Sequence, residues 1–178
     1  MYELLNANIR AFQPGDEADV AAVWHRSGIA AYTYLPTWQT LTLERAREVF
    51  DRVIRPNCAI WVATRDKRIV AYLAIKGTCL DRLYVDPPEW RRGWGTQLVI
   101  LAKQVSPRGL ELRTHQENSS ARALYERHGF RAVSFGLSPP PESAPRLSDM
   151  TVISNPTPPK SARIRCFVRV PCSTNSSR

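Results

Sequence analysis

Apolar and polar positions alternate with two different periods along the first 135 residues, and the switches between them mark an ordered series of strands and helices. Ile9 to Phe12 reads as a short strand. Pro14-Gly15-Asp16 breaks it, and Asp16 is placed to cap a helix with Val20, Val23 and Trp24 on one face. Thr42 can cap a second helix, with Leu43, Ala46, Val49, Phe50 and Val53 facing inward. Between the two, Ile29 to Thr40 is aromatic and loop-like. Ala59 to Thr64 and Arg68 to Ile75 form a predicted hairpin through Asp66-Lys67, followed by a third strand from Thr78 to Val85. Pro87 and Pro88 forbid its continuation. Thr96 to Val105 then carries Leu98, Leu101, Ala102 and Val105 at the spacing of one helix face. A short strand, Gly109 to Thr114, precedes Asn118 and Ser119, which offer caps to a helix from Ser120 to His128 ending at Gly129. Phe130 to Phe135 resumes an extended pattern.

The junction from Leu83 to Thr96 holds the densest chemistry. A strand runs into a basic turn, Arg91-Arg92-Gly93-Trp94-Gly95, that opens a helix. Unpaired backbone N–H groups at a helix start point outward and the helix dipole favours negative charge, while residues without Cβ let a phosphate approach the main chain. The turn is therefore a candidate anion cradle, although a basic surface turn that simply caps a helix has the same pattern. Trp90 and Trp94 are explained by packing alone. On the later helix, Ala121, Leu124, Tyr125 and His128 share a face, so Tyr125 is either a core residue or a reactive hydroxyl.

Taken together, these stretches resemble the GNAT superfamily of acetyl-CoA-dependent N-acetyltransferases. In that family a strand ending in Val-x-Pro leads to a Gln/Arg-x-x-Gly-x-Gly/Ala turn that binds the coenzyme A pyrophosphate, and here the turn ends at Gly93 and Gly95. A later Asn-x-x-Ala-x-x-x-Tyr-x-x-x-Gly-Phe segment is matched by Asn118, Ala121, Tyr125, Gly129 and Phe130. The likeness is carried mainly by residues 69–135. One position departs from it: Trp90 stands where the family usually has Gln or Arg, and Arg91 is the candidate substitute.

The resemblance implies an α/β fold of GNAT type, a central twisted mixed sheet of about six or seven strands flanked by about four helices. It implies an acyltransferase that moves the acetyl group of acetyl-CoA to a primary amine of a small molecule or protein by direct attack. The cofactor-binding residues it implies are Leu83, Tyr84, Val85, Arg91, Arg92, Gly93, Trp94, Gly95, Thr96, Asn118 and Tyr125. Tyr125 is the expected acid for the departing thiolate, since a phenol with an ordinary pKa near ~10 is protonated at neutral pH. Asp81 is offered as a base; a carboxylate paired with Arg82 or Arg113 is the equal alternative. Tyr32, Tyr34 and Trp38 are candidates for the acceptor wall, or for a loop folded back on the core. A non-catalytic acyl-CoA-binding or regulatory module of the same fold is the alternative function.

Composition narrows the picture further. Residues 1–135 hold 19 Lys and Arg against 14 Asp and Glu, a moderately basic body that suits a polyanionic ligand. No interleaving of aromatic and basic residues marks a nucleic-acid stacking platform, so no specific nucleic-acid partner is expected. No stretch approaches the ~18 consecutive apolar residues of a membrane span. The start of the chain lacks a signal-like apolar core, which makes a cytoplasmic monomer or homodimer the default. The four cysteines lack paired spacing and do not cluster with His25, His115 or His128, so neither a metal site nor a disulfide framework is expected.

The domain is expected to occupy 1–135. From Gly136 the chain is rich in Ser, Pro and Arg, as in Ser138-Pro139-Pro140-Pro141. Asp149 to Ser154 or the alternating Arg163 to Val170 can supply a last strand; the abrupt change of composition also fits a disordered tail or a frame-shifted gene end.

Overall fold

The computed structural model describes residues 8–137 and 148–153. Seven strands form one mixed sheet in the order β1-β2-β3-β4-β5-β7-β6. They are β1 (Asn8–Ala11), β2 (Ala59–Arg65), β3 (Arg68–Lys76), β4 (Cys79–Val85), β5 (Glu111–His115), β6 (Arg131–Leu137) and β7 (Ser148–Ile153). Neighbours are antiparallel except β4 and β5, which run parallel. The β2–β3 hairpin turns through Asp66 and Lys67, both with positive φ, the backbone a two-residue hairpin needs to follow the twist of its strands.

Helices cover both faces. α1 (Glu17–Ala31), α2 (Pro36–Gln39) and α3 (Leu43–Val49), with a π-helical turn at Phe50–Ile54, pack over one side. Their core joins Val20, Val23, Trp24, Val49 and Phe50 to Val62, Tyr72 and Ala74 of the sheet. α4 (Trp94–Val105) and α5 (Ser119–Arg127) cover the other, where Trp94, Leu98, Val99 and Tyr125 meet Val70, Leu73, Leu80 and Leu112. Alternating β3 side chains feed both cores, so this strand is buried along almost its whole length.

Several local expectations needed adjustment. Thr42 caps α3 as read, its hydroxyl accepting from the Arg45 N–H at 3.2 Å. Asp16 makes no side-chain cap; its carboxylate instead accepts two bonds from Arg10 at 2.7 and 2.9 Å and one from the Gln13 N–H, tying α1 to β1. The stretch expected as an inter-helical loop contains the last residues of α1 and the whole of α2. The expectation that cysteines stand isolated fails at Cys79, which is disulfide-bonded, whereas Cys58 is free. Pairing through space leaves no mark in spacing along the chain. β7 sits between β5 and β6, inside the sheet and beyond the boundary drawn at 135; Arg163 to Val170 lies outside the described residues.

Candidate functional site

Two features of β4 open the sheet at one end. Ala74 faces Arg82 but Ile75 faces Leu80, so Asp81 is an extra residue in the strand, a bulge that increases local twist. The parallel ladder to β5 includes only Cys79 with Glu111 and Leu80 with Leu112. Beyond it the two strands part. Since alternate backbone groups of a strand point to opposite edges, part of the Arg82 to Val85 main chain faces this gap rather than β3. The gap lies at the C-terminal ends of adjacent parallel strands, where open α/β sheets bind ligands.

The turn after β4 is fixed from several sides. The Asp86 N–H donates to the Val70 carbonyl at 2.8 Å, and the buried Asp86 carboxylate takes a bidentate pair from Arg26 of α1, both bonds 2.8 Å. Trp90, in the place of the family's polar residue, donates its indole N–H to the Val85 carbonyl at 2.7 Å. Glu89 gathers Arg65 at 3.0 Å, Arg92 at 3.7 Å and the Trp94 indole at 3.3 Å. Trp94 is buried against the sheet, while Arg91 and Arg92 remain exposed. Arg91 and Gly93 both have positive φ, 65° and 88°, a backbone that curls successive N–H groups toward one point ahead of α4.

The two glycines have different reasons to be there. At Gly93 a Cβ would meet nothing within 4 Å, but φ of +88° disfavours any side chain. At Gly95 a Cβ would lie 3.0 Å from the Leu124 Cδ2, so this glycine lets α5 approach α4. The sequence reading gave both the task of admitting a phosphate; for Gly95 helix packing is sufficient.

An aromatic cluster stands beside the gap. Tyr32 stacks on Trp38 with ring centres 5.2 Å apart, and meets Tyr34 at 6.1 Å and His115 at 5.3 Å. Trp38 reaches Tyr84 at 6.3 Å, and fits because Gly28 of α1 has no side chain where its ring lies. The Tyr32 hydroxyl lies against the Tyr84 hydroxyl and the Asn118 amide. Asn118 itself caps α5, accepting from the Ala121 N–H at 3.1 Å. Tyr125 is buried against Phe130, within electrostatic range of Tyr84, and burial first, then Tyr84, pushes its phenol well above the ordinary value. It is held protonated. Tyr34 is raised to about 12, chiefly by burial.

The structure thus brings Tyr32, Tyr34, Trp38, Tyr84, Asn118 and Tyr125 together at the gap, with the Arg91 to Thr96 turn beside it. Asp81 is not among them. It lies 99% buried near Cys58, on the α1 side, and pairs with Arg82 at 3.3 Å. His115 and Arg82 were not singled out by sequence; the one usable signal was that His115 ends a strand just before a capped helix. Among the described residues, no group of His, Cys, Asp and Glu is placed to hold a metal ion, and no helix is long and apolar enough to cross a membrane.

Residues 56–132 match the family described as the acetyltransferase (GNAT) domain. Over that stretch the chain is similar to the acetyltransferases of the GNAT family. The peptidyl-lysine N-acetyltransferase YjaB of Salmonella typhimurium is 29% identical over 127 residues, 71% of this chain and 84% of that protein. The solution structure of apo YjaB from Escherichia coli superposes with a TM-score of 0.67 at 22% identity, covering 85% of this chain and 99% of that one. The PaiA N-acetyltransferase of Thermoplasma acidophilum, solved with coenzyme A, has a TM-score of 0.64 at 17% identity, covering 84% and 99%. The expected mixed GNAT sheet with helices on both faces is the fold observed, with seven strands.

Proposed function

We propose that this GNAT chain is an N-acetyltransferase that uses acetyl-CoA and acts on a primary amine by direct attack. The observation that carries the proposal is the gap between β4 and β5, flanked by a left-handed N–H turn on one side and a buried, protonated tyrosine on the other. The residues present fit the cofactor: the Arg91 to Thr96 turn offers N–H groups and two exposed arginines to a pyrophosphate, and the unpaired edge of Leu83 to Val85 offers main-chain partners to an amide-bearing arm. Acetyl-CoA supplies an activated thioester, and a thiolate is its leaving group. YjaB is named for a peptidyl-lysine acceptor; this chain's acceptor is proposed only as an amine of a small molecule or protein.

Each protein group has a defined task. Backbone N–H groups at the β4 edge bind and polarise a carbonyl. Tyr125 donates its proton to the sulfur that leaves, which its raised pKa keeps available. Tyr32, Tyr34 and Trp38 exclude water and form an acceptor wall. Asp81 is bound to Arg82 and buried, which disfavours it as the base; an amine that arrives unprotonated, or loses its proton through water, needs none. Thiol release from acetyl-CoA that depends on both the protein and an added amine is the expected result, with micromolar to millimolar coenzyme A binding in calorimetry. Absence of coenzyme A binding would sink the proposal.

A further inference from the structure

Acetyl transfer takes a proton from the amine, and Asp81, buried against Arg82, is poorly placed to receive it. His115 is placed differently. It is the last residue of β5, at the end where that strand has parted from β4. Side chains alternate along a strand, and Leu112 belongs to the core under α4 and α5, so His115 emerges on the α1 side. Its contacts agree: the imidazole meets the Tyr32 ring at 5.3 Å and the Tyr34 ring at 6.3 Å, both at steep angles. All three residues keep part of their surface exposed.

Tyr32 connects this imidazole to the acid. Its ring touches His115, while its hydroxyl bonds with Tyr84 and Asn118 and lies within electrostatic range of Tyr125. Tyr125 belongs to the core on the other face of the sheet. An imidazole and a phenol therefore approach the opened end of the sheet from its two sides, with one tyrosine in reach of both.

We infer that His115 is the base that takes the proton of the acceptor's ammonium, on the α1 side of the gap, while Tyr125 serves as acid from the other. This rests on the acetyltransferase reading and supplies the proton acceptor which that reading leaves to water.

An alkylammonium holds its proton at neutral pH, and its nitrogen cannot attack until that proton is removed. Histidine is the one side chain whose ordinary range lets it exchange a proton near neutrality. The neighbouring phenols cannot serve, because burial raises Tyr32 and Tyr34 and keeps both protonated. Glu117, within electrostatic range of Tyr34, is exposed, and a carboxylate is a weaker base than an imidazole. The other charged and titratable residues placed around His115 are Arg113, two positions back on the same face of β5, Asp149, opposite it in the ladder to β7, and Tyr84 of β4.

The bond changes balance. His115 accepts the ammonium proton and passes it to water at its exposed edge. The electron pair freed on nitrogen forms the C–N bond to the acetyl carbon, the C–S bond breaks with its pair on sulfur, and Tyr125 protonates that sulfur. The acetylated nitrogen then returns its surplus proton to Tyr125.

The test is the pH dependence of kcat/KM for thiol release from acetyl-CoA, with butylamine, 2-phenylethylamine, spermidine and Nα-acetyl-lysine amide as acceptors. With His115 as base, kcat/KM falls off below neutral pH and is level above it, since the ammonium is then deprotonated on the protein. His115→Phe keeps the ring against Tyr32 and Tyr34, and His115→Gln keeps polarity. In both, the level region should become a rise of about tenfold per pH unit that tracks the unprotonated amine, with turnover at neutral pH lower by roughly 10²-fold. Coenzyme A affinity should stay unchanged, and Glu117→Gln should keep the wild-type profile. A wild-type profile that already rises tenfold per unit overturns the inference and leaves the acetyltransferase reading standing. So does a level region that survives in the His115 variants or is lost in Glu117→Gln. Should neither His115 variant fold, the wild-type and Glu117→Gln profiles decide alone. If the wild type acetylates none of the four amines, the acetyltransferase reading falls and the base falls with it.

Discussion

The turn ahead of α4 and the aromatic wall beside α1 are built by opposite means. The turn is a continuous run from Asp86 to Thr96, shaped by two prolines, a glycine with φ of +88° and a glutamate that gathers its neighbours. The wall is assembled from Trp24, Tyr32, Trp38, Arg82, Tyr84, His115 and Tyr125, drawn from a hundred positions of chain and three helices. The first is stabilised by backbone conformation and surface ion pairs, the second by buried rings. A cofactor shared by a whole family can be held by a short motif made of main chain. On the proposed function, acceptor choice would rest on side chains that only the fold brings together.

The sharpest way to break the comparison is at Tyr125, the residue that the wall and the cradle share. Tyr125→Phe keeps the ring against Phe130 and removes the hydroxyl, and turnover should fall by roughly 10²–10⁴-fold with acetyl-CoA affinity little changed. Wild-type turnover on a confirmed acceptor would make Tyr125 a core residue only.

The next effect concerns the link between the two regions. Arg26 of α1 holds the buried Asp86 at the root of the turn, and Arg26→Gln leaves that carboxylate without its cation. Loss of a buried pair's partner costs about 3 kcal/mol, read as a drop in Tm and a weaker coenzyme A complex. An unchanged Tm would show that water replaces the guanidinium at the half-exposed edge.

The two glycines divide the cradle more finely. Gly93→Val forces a branched side chain into positive φ, a strain of about 1–3 kcal/mol that should weaken coenzyme A binding by on the order of tenfold. Gly95→Ala brings a Cβ to 3.0 Å from Leu124, and should cost about 1 kcal/mol of stability with affinity unaltered. The reverse pattern in calorimetry and thermal unfolding would exchange their assignments.

The smallest effect is linked to pH. Burial raises the Cys58 thiol from 9.0 to about 11, and Tyr34 from 10.0 to about 12. Because the folded values exceed the unfolded ones, the stability these groups contribute is complete below pH 9 and is lost as pH rises toward 11 and 12. Urea unfolding should therefore give the same contribution at pH 7 and 8 and a lower stability at pH 10. Cys58→Ser should shrink that difference.

Strand and helix order were legible because period and turn chemistry are local. Thr42 and Asn118 cap the helices they precede, and Asp66-Lys67 turns the hairpin. Asp16 was misread since Arg10, six residues back and across a turn, competes for the same carboxylate and takes both oxygens. The Cys79 disulfide left no sign in cysteine spacing. That Gly95 also makes room for Leu124 of α5 had no sign in the local sequence.

What the sequence alone determined is the family motif: a strand, a proline stop, a basic glycine turn and a helix, followed at the right interval by an asparagine-capped helix bearing a tyrosine. These depend on φ, on caps and on hydrophobic period, which residues impose on their immediate neighbours. The tertiary structure alone decided that β4 parts from β5 at the Asp81 bulge, that Trp38 fits over Gly28, and that Arg82 pairs with Asp81 beside Trp24. Each of these depends on which distant side chains share one small volume, and that follows from packing two cores against one twisted sheet.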